Sequence, residues 1–360
     1  MSTDVIFSPE LIKVTSIIHN LREVNKLMTY EDYLLDYSDT IAEQIFDELT
    51  RGKDEPEFHE IAPLLLFQTM IDKIRAIQVL RDSKSNRVGD SADSIVRTVY
   101  ECKWNLLYML EDDSEFRSRA YYYFSRLEEA KSNMEATKYK LSEHYKALDQ
   151  IEDDMDKYVK DIFEYEKALK ADNADLIKKY HDIYVSESEN LLPAMKFSVQ
   201  KTANMVHDGY LWADTMEKDK ERHQNTIAYL KSDPQFSDIR DAINSLPDKY
   251  KRYPKWYNLK SKIGSLTSLA KHLKRSEEFK GLYGEYSQDS HVLNGTKQIV
   301  LKDGKATLRR REEVLTIAET EYAFSDALDA LSDSLEPFLS HYRRHQEIEE
   351  FVNELSFLID

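Results

Sequence analysis

Residues 127–169, LEEAKSNMEATKYKLSEHYKALDQIEDDMDKYVKDIFEYEKAL, carry an apolar residue at every seventh position: Leu127, Met134, Leu141, Leu148, Met155, Ile162 and Leu169. The companion positions are Ala130, Thr137, His144, Ile151, Tyr158 and Tyr165, so the seam is mixed rather than purely aliphatic. Seven residues are close to two helical turns, which puts all of these side chains on one side of a helix. The stretch lies within a longer block, Ser91 to Leu192, that has neither glycine nor proline, and that block reads as one long helix. At a rise of about 1.5 Å per residue, roughly 45 residues extend about 65 Å, more than a compact domain needs. The expectation is therefore a protruding antiparallel helical hairpin at about 115–192. Asp172-Asn173 supplies its turn, and Leu176, Tyr180, Ile183, Tyr184 and Leu191 its returning stripe. A break near Asp153-Asp154 is the alternative.

Upstream, Ser8-Pro9 suits a helix start, and a second helix is expected from about Tyr30 to Leu49. These make residues 1–60 a helical lead-in. From Pro63 the run LLLFQTMIDKIRAIQVL spaces Phe67, Met70, Ile74 and Ile77 as a core helix. In the helix after it, Ile95, Val99, Cys102, Leu106 and Met109 form one stripe, and Arg97, Glu101, Trp104 and Tyr108 line the opposite side. An Arg-Glu pair flanked by aromatic rings is an unusual face to give to water, so something is expected to cover it.

Downstream, SDPQF, SLPDKY and RYPKWY mark turns. Helices are expected over Leu259 to Leu273 and from about Glu277 through His291. QIVLKDGKATL reads as a tight β-hairpin at about 298–308. Helix resumes from Arg309, with Pro337 as a kink or break, and the end at 346–360 is amphipathic. The main helical domain is thus 61–345.

Eight glycines and eight prolines in 360 residues, with 32% charged residues, fit an all-α helical bundle better than strand-and-turn architecture. The one cysteine, Cys102, excludes a disulfide within the chain and fits a reducing compartment. The N-terminus lacks a secretion signal, and no stretch of about twenty apolar residues could span a bilayer, so the expected location is cytoplasmic, with no membrane partner. A formal net charge of -17 opposes nucleic acid in general, yet Asp248 to Lys280 holds ten Lys/Arg against three Asp/Glu.

Three groups of residues could carry chemistry. In GLYGEYSQDSH, Tyr283, Ser287 and His291 stand four apart and share a helix face. His291 could move a proton, with Glu101 or Ser287 orienting it, or the hydroxyls and imidazole could simply satisfy one another between helices. Arg97 with Glu101 is either a phosphate fork or an i,i+4 salt bridge. In the basic stretch, Arg252, Lys255, Trp256 and Tyr257 interleave cations with rings, as single-stranded RNA or DNA would require. The same composition also suits a solvated basic face.

No P-loop, G-x-G-x-x-G, H-E-x-x-H or G-x-S-x-G motif occurs. No cofactor and no metal is therefore expected.

The order IVRTVYECKWNLLYML, long charged helix, KWYNLKSKIGSLTSLA and LYGEYSQDSH resembles the bacterial domain-of-unknown-function family 5677. That family's Arg-x-x-x-Glu helix, Trp segment and Tyr-x-x-x-Ser-x-x-x-His helix map to Arg97 and Glu101, Trp256, and Tyr283, Ser287 and His291. The likeness spans roughly Pro63 to Leu331 and implies an all-helical protein of the anti-phage or toxin-like kind. It differs from the neighbouring HEPN ribonucleases, which place a histidine four to six residues after an arginine; no arginine here has one at that spacing.

Two functional expectations follow. One is action on nucleic acid, with metal-independent RNA cleavage by Arg97 and His291, nuclease or phosphodiesterase-like. The other is a non-catalytic scaffold that self-associates, or binds a partner protein, through the hairpin.

Overall fold

A computed structural model of the chain describes residues 30–52, 56–83, 89–184, 191–261, 263–284, 286, 299–302, 305–308 and 317–359. The expected first helix near Ser8 lies outside them. Among the described residues the chain is all-α apart from one strand pair. It divides into two compact units, Met1–Phe124 with Asp238–Asp360, and Ser125–Ser237. No helix among the described residues is long and apolar enough to cross a membrane.

In the first unit, α1 (Tyr30–Gly52), α2 (Phe58–Asp82) and α3 (Gly89–Leu110) pack together. The core helix expected from Pro63 starts five residues earlier, and Leu64, Phe67, Met70, Ile74 and Ile77 are buried along it. A break at Glu111 to Asp113 follows α3, and α4 (Ser114–Lys170) begins after it. The glycine- and proline-free block is thus not one helix. Asp113 takes a left-handed conformation, φ 63°, which a short polar side chain tolerates better than most. Arg117 closes the break by donating to the Tyr108 carbonyl and pairing with Glu111 at 2.8 Å.

In the second unit α4 continues without a break at Asp153-Asp154. Asn173 caps α5 (Ala174–Ile183), accepting from Leu176 N at 3.1 Å. Asp172, φ 50°, makes the turn before it. The partner of most of the seam is α6 (Leu192–Ser232), in which Pro193 occupies the first turn. Leu141 packs with Ala213 and Met216, and Lys196 pairs with Glu166 at 3.1 Å, so the arms run antiparallel. Tyr165, Tyr180, Leu191 and Met195 close the end nearest the turn. Leu169 is exposed while Tyr165 and Ala168 are buried. A straight helix drifts about 20° per heptad against a strict seven-residue repeat, so the last member has rotated out of the seam.

The chain returns to the first unit through a 3-10 turn, Pro234–Phe236, and α7 (Ser237–Asn244). The helix expected over Leu259 to Leu273 is interrupted: a single turn, Asn258–Ser261, ends before Gly264, and Ser265 caps α8 (Leu266–His272) by accepting from Ser268 N. A Cβ on Gly264 would lie 2.9 Å from the Tyr250 ring, which accounts for the glycine there. The next helical segment begins as a turn at Ser276–Glu278 and a π-helical turn at Phe279–Tyr283, and the rest of the helix expected through His291 lies largely outside the described residues. Ile299–Lys302 and Lys305–Leu308 pair antiparallel, with Ile299 opposite Leu308 and Lys302 opposite Lys305.

α9 (Ile317–His341) passes through Pro337 without breaking and packs on α1, α2 and α3. Phe338 stacks on Phe67 with ring centroids 3.9 Å apart. Finally α10 (His345–Ile359) lays Phe351 against Tyr33 and Tyr37.

Candidate functional site

Helical spacing on α3 sets Arg97, Glu101, Trp104 and Tyr108 in a row, and residues from distant parts of the chain cover that row. Arg97 Nε donates to Glu101 Oε1 at 3.1 Å and to the Tyr283 hydroxyl at 3.1 Å. The hydroxyl in turn donates to the same Glu101 oxygen at 2.7 Å. The guanidinium also lies over the Tyr283 ring, 5.3 Å from its centre. Burial, and then the hydrogen bond and charge of Glu101, push the Tyr283 phenol up to about 12. It therefore stays protonated and can keep donating. The Arg97 and Glu101 side chains remain 32% and 35% exposed, so solvent reaches the triad.

Trp104 is fully buried. Its ring meets Phe279 and Tyr283 at 5.6 and 5.2 Å, and its Nε1–H donates to Glu278 Oε2 at 3.2 Å. Beside it lies a cluster of buried and part-buried charge that the sequence reading missed. Lys103, 2% exposed, reaches Glu278 at 3.0 Å and Asp333 at 2.7 Å. Arg275 pairs with the same two carboxylates at 3.0 and 3.3 Å. Tyr286 donates to Asp326 Oδ2, and Tyr100 to the Asp326 carbonyl at 3.3 Å. The carboxylates outnumber the cations here. Burial, with Asp326 and Asp333 nearby, pushes Asp329 up to about 7, although Lys103 pulls the other way. A signal for this cluster was present: Lys103 falls between Val99 and Leu106 on the apolar stripe, and Asp326, Asp329 and Asp333 recur at helical spacing within apolar FSDALDALSDSL.

Tyr108, at the end of the row, bonds to Ser261 Oγ at 2.7 Å and lies under Arg117, whose guanidinium is 4.0 Å from the ring centre. Trp256 and Tyr257, read from sequence as stacking rings, are only 7% and 8% exposed. Trp256 packs on Tyr108 and Tyr121, at 5.2 and 5.4 Å. Both are core residues, buried because the Asn258–Ser261 turn presses that segment onto α3. Arg252 and Lys255 are exposed, and Arg252 lies over the Tyr253 ring. The exposed ring of the basic stretch is thus Tyr253, at 74%.

Structure brings together Arg97, Glu101 and Tyr283; Ser287 and His291 lie outside the described residues. Cys102 is buried, which, with Glu101 nearby, pushes its thiol up to about 12 and leaves no thiolate for chemistry.

Residues 60–208 match the model of a family of unknown function, DUF5677. The resemblance therefore holds over α2 to the first half of α6, a segment that includes Arg97 and Glu101 and stops short of Trp256 and Tyr283. No curated protein and no solved structure matches the chain significantly.

Proposed function

We propose that the protein binds single-stranded nucleic acid and acts on its phosphodiester backbone at the Arg97 site, in the bacterial defence or toxin-like role that the family resemblance suggests. The observation that carries this reading is the convergence of Arg97, Glu101 and Tyr283 at a solvent-reached point, although Tyr283 is 186 residues from Arg97 in the chain. A planar guanidinium matches a phosphate bidentately, and a carboxylate and a phenol that fix its orientation lower the cost of holding it ready. The basic stretch runs directly into this site, because Arg275, Glu278 and Phe279 pack on Lys103 and Trp104. Exposed Arg252, Tyr253 and Lys255 supply the phosphate and stacking contacts, in place of the buried Trp256 and Tyr257. The catalytic form of the reading adds His291 as the proton carrier and Ser287 as its orienting group, on the sequence pattern alone.

Fluorescence anisotropy with labelled single-stranded RNA and DNA tests the binding form. Affinity is expected to fall steeply with salt and to drop about tenfold or more in Arg252→Ala/Lys255→Ala. Absent or salt-insensitive binding overturns it. Cleavage that is lost in Arg97→Ala and His291→Ala supports the catalytic form, and cleavage unchanged in both overturns it.

One observation favours the alternative, a non-catalytic interaction protein. The second unit leaves Phe163, Phe197, Leu211 and Trp212 at 67, 71, 56 and 50% exposure, large apolar side chains of the kind that contact surfaces use. The seam itself is not that surface, since Leu141 and Leu148 are buried within the chain. A dimer in light scattering that Phe197→Glu/Leu211→Glu converts to monomer supports this reading; a strict monomer opposes self-association.

A further inference from the structure

Glu57 stands immediately before α2, His59 lies in the first turn of α2, and Glu115 in the first turn of α4. His59 Nδ1 is 2.8 Å from Glu115 Oε2 and 3.2 Å from Glu57 Oε2. One ligand atom of each residue lies within 4.8 Å of the others. A neutral imidazole has at most one hydrogen on Nδ1, so two carboxylate oxygens aimed at that nitrogen are more than its single hydrogen can serve. A small divalent cation would satisfy all three donors at once. In tetrahedral coordination with metal–ligand bonds of about 2.0–2.2 Å, neighbouring donors are spaced about 3.3–3.5 Å. The two His59 distances need only a slight opening to reach that.

The surroundings hold the donors in place, as supporting shells do around metal ligands. Glu115 keeps its other oxygen, Oε1, on Arg119 Nε at 3.0 Å. Arg119 is itself clamped by Asp238, NH1 to Oδ1 at 3.0 Å and NH2 to Oδ2 at 2.8 Å. The His59 carbonyl accepts from His341 Nε2–H at 2.7 Å, and the Glu57 backbone N donates to Glu60 Oε2 at 3.0 Å. The donor side chains are partly to largely exposed, so a cation can arrive from solvent and water can complete its coordination.

We propose that Glu57, His59 and Glu115 form a three-ligand site for a divalent transition cation, Zn2+ in the first instance, with water as the fourth ligand, joining the starts of α2 and α4. Two carboxylates and one imidazole suit zinc better than Mg2+ or Ca2+, which favour all-oxygen shells.

Calorimetric titration of the full chain with Zn2+ tests this, alongside His59→Gln and Glu115→Gln variants whose helicity is checked by circular dichroism. One equivalent is expected to bind, and each variant to weaken it about tenfold or more. Co2+ in place of Zn2+ is expected to give the intense visible bands of four-coordination, lost in His59→Gln. No Zn2+ binding, binding unchanged in both variants, or a preference for Mg2+ over Zn2+ would each overturn the proposal. If a variant loses helicity, an intense Co2+ spectrum of the parent that Glu57→Gln abolishes supports it, and one that Glu57→Gln leaves unchanged overturns it.

Discussion

Around α3 the chain buries Lys103 against the part-buried Arg275, Glu278 and Asp333 and a ring of tyrosines, whereas the α4–α6 seam buries Leu141, Leu148, Ala213 and Met216 with little polar beyond His144. The seam is assembled from apolar burial, which is non-directional and tolerant of shape-conserving change. The α3 cluster depends on every charge finding its partner, and a partly satisfied network is worse than an apolar one. A chain that needed only stability at α3 could have used leucines there. Buried ion pairs are weak evidence of stability, so their concentration beside the half-exposed Arg97 triad fits a part of the molecule shaped for positioning.

The comparison breaks most sharply at Lys103. Lys103→Met leaves two part-buried carboxylates, Glu278 and Asp333, to share the Arg275 guanidinium and is expected to cost up to about 5 kcal/mol in urea unfolding. A loss below about 1 kcal/mol would mean that the two regions are energetically alike.

Asp329 separates them by pH. Its folded pKa, about 7, is above the usual 3.8, so the folded chain holds a proton that the unfolded chain releases. Its contribution is complete below about pH 4 and disappears as pH rises to about 7. Asp329→Asn should remove this decline and raise stability at pH 8 by up to about 4 kcal/mol. Matching pH profiles for parent and variant would refute the assignment.

In the seam the expected effect is smaller. A Cβ on Gly209 would lie 2.4 Å from Leu148 Cδ2. Gly209→Ala gains about 1 kcal/mol of helix propensity but overpacks the contact by about 1–3 kcal/mol. A net loss of about 1 kcal/mol is expected in thermal unfolding, and a net gain would show that the arms can part freely.

Smallest are the helix ends. Lys274 and Arg343 both sit at φ 60°, where a side chain costs energy and glycine does not. Lys274→Gly should stabilise by about 0.5–1 kcal/mol, most of it from relieved strain, and a loss in denaturant midpoint would contradict that.

What was legible in the sequence was what repeats. The heptad from Leu127, the apolar spacing after Pro63 and the Asp172-Asn173 turn each report a local periodicity or a local backbone preference, and each appears where it was expected, save that Leu169 has left the seam. The covering of Arg97 and Glu101 was legible as a need, and Tyr283 as a candidate site residue, but nothing in the sequence joined the two. Breaks at Asp113 and Gly264 were not, because ordinary residues formed the first and a tight approach by Tyr250 required the second. The Lys103 cluster was hidden for a different reason. Its members come from three segments, and a charge on an apolar stripe looks like noise until its partners are placed. Trp256 and Tyr257 show the opposite error: cation-and-ring composition is the same whether the rings face solvent or core.

The Gly209–Leu148 contact has one more consequence. His144 Nε2–H donates to the Gly209 carbonyl at 2.8 Å, so two adjacent turns of α4 grip the same residue of α6. Sliding α6 by one heptad, about 10 Å, would bring Thr202 or Met216 against Leu148, whose Cδ2 lies only 2.4 Å from where even a Cβ on Gly209 would be. The two arms therefore have a single register. They form a ruler of fixed length, unable to work as a piston that signals by slipping.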